Sequence, residues 1–97
     1  MATFIHLLRF SQKSAGDLKE TPTRIKTLKQ GMRALGAELK HMYFLMGQYD
    51  ALVILEAPDD ETAFKAILAG FASAGISSET MRAFTEAEFL KMAAELS

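Results

Sequence analysis

The chain has no cysteine, which excludes disulfide staples and thiolate chemistry. It has no tryptophan and only two histidines, His6 and His41, at neither HxH nor HxxxH spacing. A zinc site would need both imidazoles to meet in space with a carboxylate, so neither a metal nor any other cofactor is expected. Charge of one sign is also missing: the formal net charge is −1, which removes any global electrostatic case for nucleic acid. Long apolar runs are absent. The stretch from Phe4 to Phe10 is interrupted by His6 and Arg9, and no small-residue cleavage site follows it. Neither a signal peptide nor a membrane span is expected, and the chain reads as soluble and cytoplasmic. No Gly-rich phosphate loop, Walker pattern, Ser-His-Asp set or internal repeat is present.

What is there is apolar residue, and more of it than a small domain needs. The 97 residues make one domain, 1–97, with 49% apolar residues beside 24% charged ones. So short a chain buries only about two-thirds of the surface its unfolded form exposes. The apolar surplus points to a subunit interface.

The elements are organised around a hairpin. Leu39–Met46 and Tyr49–Glu56 are apolar runs of strand length that meet at Gly47-Gln48. A first strand is expected over Thr3–Phe10, then a polar loop with one helical turn over Ser11–Glu20. Thr21-Pro22 opens a helix with Ile25, Leu28, Met32 and Leu35 inward, and Gly36 ends it. Pro58-Asp59-Asp60-Glu61 caps a second helix, whose stripe is Phe64, Ile67, Leu68 and Phe71. Ser77–Phe84 is a fourth strand. Thr85-Glu86-Ala87-Glu88 is a capping box that starts a last helix with Phe89, Met92, Ala93 and Leu96 inward. The basic first helix (Arg24, Lys26, Lys29, Arg33) reads as a solvated face, and Met32, Met42 and Met46 read as core fillers.

The order β-α-β-β-α-β plus one helix predicts an α+β ferredoxin-like sandwich, with strands in spatial order 4-1-3-2 and both main helices on one face. A two-residue turn pairs Met46 with Tyr49 and, further out, Phe44 with Ala51. That puts Lys40, Met42, Phe44, Met46, Tyr49, Ala51, Val53 and Leu55 under the helices. Leu39, His41, Tyr43, Leu45, Asp50, Leu52, Ile54 and Glu56 then share the open face, and Phe4, His6, Leu8, Phe10, Thr80, Arg82 and Phe84 are expected to join them. Two such faces packed together would make a homodimer. Its cavity would be lined by His6, His41, Tyr43, Asp50, Glu56 and Arg82, the candidate ligand-binding residues.

Several segments resemble one family nearly end to end: Ile5-x-Leu7-x-Arg9-Phe10, Thr21-Pro22, Gly47-Gln48-Tyr49-Asp50, Glu56-Ala57-Pro58-Asp59-Asp60 and Arg82-Ala83-Phe84-Thr85. They are similar to the GYD-domain family of small bacterial proteins, named for the Gly-x-Tyr-Asp hairpin. The resemblance implies a ferredoxin-like fold of the dimeric α/β-barrel kind, with no assigned function. His6 departs from it, standing where the family more often has Thr or Ser. The hairpin is also similar to a segment in effector-binding domains of leucine-responsive-type regulators, although no helix-turn-helix precedes it here. That second likeness is an analogy of fold.

For each candidate residue a structural role stands beside the functional one. Asp50 is a ligand acceptor or base, or else the acceptor that fixes the turn amides. Tyr49 is a packing residue with a tethered hydroxyl. His6 is an acid/base in the cavity or a satisfied core histidine. Arg82 is an anion clamp or half of an ion pair with Asp50 or Glu56 of either subunit. The function expected is small-molecule binding in a homodimer cavity. The alternative is a cofactor-independent enzyme of the dimeric-barrel class, monooxygenase- or isomerase-like, and a third reading has the interface filled solid.

Overall fold

The computed structural model describes residues 1–11 and 18–96. Most of the polar loop expected after the first strand lies outside the described residues. Its end, Leu18–Glu20, forms one 3-10 turn. In chain order the elements are β1 (Ala2–Arg9), α1 (Thr21–Ala34), β2 (Glu38–Phe44), β3 (Ala51–Ala57), α2 (Asp60–Ala66), β4 (Ser77–Ala83) and α3 (Glu86–Leu96). α2 continues through a π turn, Ile67–Phe71, and a 3-10 turn, Ala72–Ala74, and Gly75 closes it at φ 76°. The strands form one antiparallel sheet in the order β2-β3-β1-β4, as the β-α-β-β-α-β pattern predicts.

One face of this sheet is the core. Phe4 and Leu8 of β1, Leu39 of β2, and Ala51, Val53, Leu55 and Ala57 of β3 cluster with Met32 of α1 and with Ala63, Ala66 and Phe71 of the α2 segment. Both helices therefore cover the same face. α2 is capped by Asp59, whose carboxylate accepts the Thr62 N–H at 2.8 Å and is held below its ordinary pKa by that bond. α1 starts differently from its expected cap. The preceding 3-10 turn feeds straight into it, so Thr21 is already helical, and Glu20 at the N-cap makes no side-chain cap bond.

The stripe of α2 is also corrected. Ala63 and Ala66 are buried, while Phe64 and Leu68 are 58% and 51% exposed. Turning the small side chains inward lets the helix backbone approach a strand that itself carries Ala51, Val53 and Ala57. Close approach continues at Gly70, where a Cβ would lie 2.5 Å from Met32 Cε and 3.0 Å from Leu28 Cδ1 of α1.

The capping box of α3 forms as expected. Thr85 Oγ1 accepts the Glu88 N–H at 3.1 Å, and the Glu88 carboxylate accepts the Thr85 N–H at 2.8 Å. Its expected inward stripe does not form. Phe89 and Leu96 are exposed at 61% and 89%, so none of the described residues covers that side of the helix.

Register explains the largest departures. β2 and β3 pair as the two-residue turn requires, His41 with Ile54, Met42 with Val53, Tyr43 with Leu52 and Phe44 with Ala51. The ladder closes at Leu45, whose N–H donates to the Asp50 carbonyl at 2.9 Å. Residues from Met46 to Tyr49 form a wider loop rather than a continued ladder, so Met46 is fully exposed and is no core filler. A bulge between Leu39 and His41 turns Leu39 into the core, against expectation.

β1 is reversed relative to the reading from sequence. Phe4, His6 and Leu8 lie opposite Leu55, Val53 and Ala51 and are buried beneath the helices. β4 follows β1: Ser78, Thr80 and Arg82 pair with Leu8, His6 and Phe4. The alternation Phe4-Ile5-His6-Leu7-Leu8 is apolar at both parities, so periodicity favours neither face.

Candidate functional site

The uncovered face carries Ile5 and Leu7 from β1 and Leu52 and Ile54 from β3, all half-buried, with Tyr43 on β2 and Met81 on β4. Polar groups frame this apolar centre. On the β2 side, His41 and Tyr43 stack at 6.3 Å between ring centroids, with planes 22° apart. Glu56 lies directly opposite Glu38. The Lys40 ammonium, 3.9 Å from Glu38, offsets part of that like-charge contact. On the β4 side, the Tyr49 hydroxyl donates to Glu79, and the Arg9 guanidinium lies 4.9 Å over the Tyr49 ring. The hydrogen bond to Glu79 holds the phenol pKa above its ordinary value, against the opposing charge of Arg9.

The six residues chosen from sequence do not converge on one site. His41, Tyr43 and Glu56 share the open face. His6 is completely buried on the other face, beneath α2, and burial lowers its imidazole pKa to about 4. Its Nδ1 is 2.8 Å from Thr80 Oγ1, and its ring meets Phe71 edge-on at 5.3 Å. Arg82 is exposed at the β4 edge, stacked 5.6 Å from Phe4 and 4.3 Å from Phe84. It donates to the carbonyls of Thr3 and Ala83 and forms no ion pair with Asp50 or Glu56 of its own chain.

Asp50 stitches the hairpin to the end of β1. Its carboxylate accepts the Phe10 N–H at 2.7 Å, and its own N–H donates to the Leu8 carbonyl at 2.8 Å. Arg9 Nε adds a bond to the Gln48 carbonyl at 3.2 Å. Asp50→Ala is expected to lower stability by about 1 kcal/mol through the orphaned Phe10 amide, and Asp50→Asn to restore most of it. Denaturant midpoints of the two variants measure the difference.

Sequence reasoning missed the Arg9–Tyr49–Glu79 group and the Ser78–Thr80 hydroxyls behind His6. Tyr49 and Asp50 were conspicuous as a motif, but Glu79 meets Tyr49 only through the β1–β4 register, which no short turn sets. Among the described residues no three histidine, cysteine or acidic side chains are grouped to hold a metal ion. No helix among them is long and apolar enough to cross a membrane.

A βαββαβ sheet with helices on one face and a half-apolar, polar-rimmed surface on the other defines a small ferredoxin-like α+β domain. The family model of the GYD domain matches residues 4–93, and the chain belongs to the GYD domain family. A relative from Thermus thermophilus, named glutamine synthetase and cystathionine beta-lyase binding protein, is 30% identical over 91 residues, covering 93% of this chain and 96% of its own. Among solved structures, TTHA0845 from Thermus thermophilus is similar at TM-score 0.56 and 23% identity, over 88% of this chain and 95% of that one. MtbAldR matches at TM-score 0.64 and 15% identity, over 88% of this chain but only 54% of its own. FFRP-DM1 matches at TM-score 0.59 and 23% identity, over 87% of this chain and 100% of its own. These structural likenesses concern the fold.

Proposed function

We propose that the protein is a non-catalytic binding module that pairs through its open sheet faces and holds a small molecule between the two sheets. The observation that carries this reading is the row Ile5, Leu7, Leu52 and Ile54, half-buried and uncovered on one face. Burying roughly 600 Å² of apolar surface over the two faces together, at about 25 cal/mol per Å², is worth on the order of 15 kcal/mol before association costs. The cavity lining on this reading is His41, Tyr43 and Glu56 at one side and the Arg9–Tyr49–Glu79 group at the other. The catalytic alternative is weaker, because His6, its best acid/base candidate, lies under α2 and away from that cavity. Sedimentation at micromolar concentration is expected to give twice the 10.7 kDa chain mass. Native mass spectrometry against the denatured chain then reads any retained ligand. A mass of 10.7 kDa overturns the proposal.

A second reading has a specific observation behind it. α3 presents Phe89, Leu90 and Leu96 to solvent, and the Thermus relative is named for binding two enzymes. On this reading the chain docks on enzymes of that kind through α3. Co-sedimentation with purified glutamine synthetase or cystathionine beta-lyase, lost on Phe89→Glu, tests it.

A further inference from the structure

The face beneath α2 holds a second polar group, separate from the open face. Ser78 and Thr80 stand on the helix-covered side of β4, opposite Leu8 and His6. They line a slot of about 500 Å³ whose apolar walls are Phe4, Ala63, Phe64 and Ile67, with Asp60 also lining it. The two hydroxyls are 2.9 Å apart. His6 Nδ1 lies behind them, 2.8 Å from Thr80 Oγ1 and 3.4 Å from Ser78 Oγ. Nε2, on the other side of the ring, is buried without a hydrogen-bond partner among the described residues.

That orphan atom decides the direction of the whole network. A buried N–H with no acceptor is rarer and costlier than a buried acceptor with no donor. The ring proton therefore belongs on Nδ1, and Nε2 keeps its lone pair. The group then owns three polar protons, one on Nδ1 and one on each hydroxyl. The Nδ1–H is spent on one hydroxyl oxygen, and one O–H is spent on the other oxygen. One hydroxyl proton is left over on a residue that lines the slot, free to meet an acceptor there. In the opposite tautomer both hydroxyl protons would be consumed, and the slot would offer only lone pairs.

We propose that this slot binds a compact, uncharged molecule with a single hydrogen-bond acceptor, such as a ketone, lactone or amide carbonyl. Its apolar body sits between Phe4, Phe64 and Ile67, and its oxygen takes the unspent hydroxyl proton. Asp60 disfavours a carboxylate in the same place by like charge. The site is on the helix side of the sheet and does not depend on pairing through the open face.

Two measurements on the whole protein test this. Two-bond proton–nitrogen correlation spectra at neutral pH read the His6 tautomer. Nδ1–H is expected, and Nε2–H overturns the proposal. Cyclohexanone at millimolar concentration is the binding probe, followed by the amide resonances of Ala63, Phe64 and Thr80, with cyclohexanecarboxylate as the charged comparison. Cyclohexanone is expected to shift these amides and the carboxylate to bind more weakly. Ser78→Ala should change the affinity little, because Thr80 then holds the free proton. The all-apolar variant His6→Leu/Ser78→Ala/Thr80→Val should weaken it by about tenfold, the loss of one hydrogen bond. Absence of shifts in the wild type, or equal binding by the apolar variant, overturns the proposal. The tautomer spectrum decides by itself if the triple variant does not fold.

Discussion

Leu52→Asp is expected to leave a folded 10.7 kDa monomer, whereas the wild type is expected to sediment at twice that mass. Leu52 lies at the centre of the open face, opposite Leu7 on one side and Tyr43 on the other. In a sheet-to-sheet pair the introduced carboxylate would be enclosed among apolar side chains with no cation directly opposite. Leaving a charge buried and unpaired costs about 3–5 kcal/mol, enough to dominate an interface of this size. In the lone chain the same carboxylate meets water, and the penalty falls to the roughly 1 kcal/mol range of strand propensity. Val53→Asp is the control on the other face. Val53 is 0% exposed beneath the helices, so that variant should not fold at all. Sedimentation gives the mass and far-ultraviolet circular dichroism the fold. A dimeric, well-folded Leu52→Asp would remove the open face from the interface.

How far the sequence could be read depends on what sets each register. Phe44 and Ala51 are paired across a short connection, so the parity of His41, Tyr43, Leu52, Ile54 and Glu56 followed from the hairpin alone. Leu39 escaped that parity because the bulge beside Lys40 adds a residue that leaves no hydrophobic signature. β1 is joined to its neighbours by helical crossovers, and no turn geometry ties Phe4 to Leu55. Its parity had to come from composition, where Ile5 and Leu7 are as apolar as Phe4 and Leu8. The error then propagated to β4, since Thr80 and Arg82 are placed only by their pairing with β1. From sequence Asp50 reads as an acceptor of turn amides, whereas its carboxylate accepts the Phe10 N–H at the end of β1, a partner forty residues away that local turn chemistry does not indicate.

α3 illustrates a different limit. The capping box and the spacing of Phe89, Met92 and Leu96 specify an amphipathic helix correctly, yet amphipathicity only states that something covers the stripe. It does not say that the cover comes from the same chain. Phe64 and Leu68 on α2 make the same point within a single helix, because local spacing allowed two stripes and the small residues of β3 selected the one bearing Ala63 and Ala66.

Mild acid should weaken the fold through His6 well before the carboxylates titrate. Desolvation holds the buried imidazole at about 4, below its ordinary 6.5. Above pH 6.5 the ring is neutral in both folded and unfolded chains, and its contribution is complete. As the pH falls below 6.5 the unfolded chain takes up a proton that the native chain refuses, so stability drops with pH until the native ring itself titrates near 4. Between pH 7.5 and 5.0 the expected loss is about 2 kcal/mol from this group. Asp59 and Glu88 lose stability in the same direction, but as carboxylates held below their ordinary pKa values they do so in a more acidic window. His6→Leu removes the titrating ring while filling most of its space, and should flatten the dependence between pH 7.5 and 5.0. Urea unfolding of both proteins at those two pH values gives the comparison. A wild type that loses no stability, or a His6→Leu variant that loses as much, would mean that the ring is hydrated in the native state. The Thr80 and Ser78 hydroxyls would then be serving water rather than a buried imidazole.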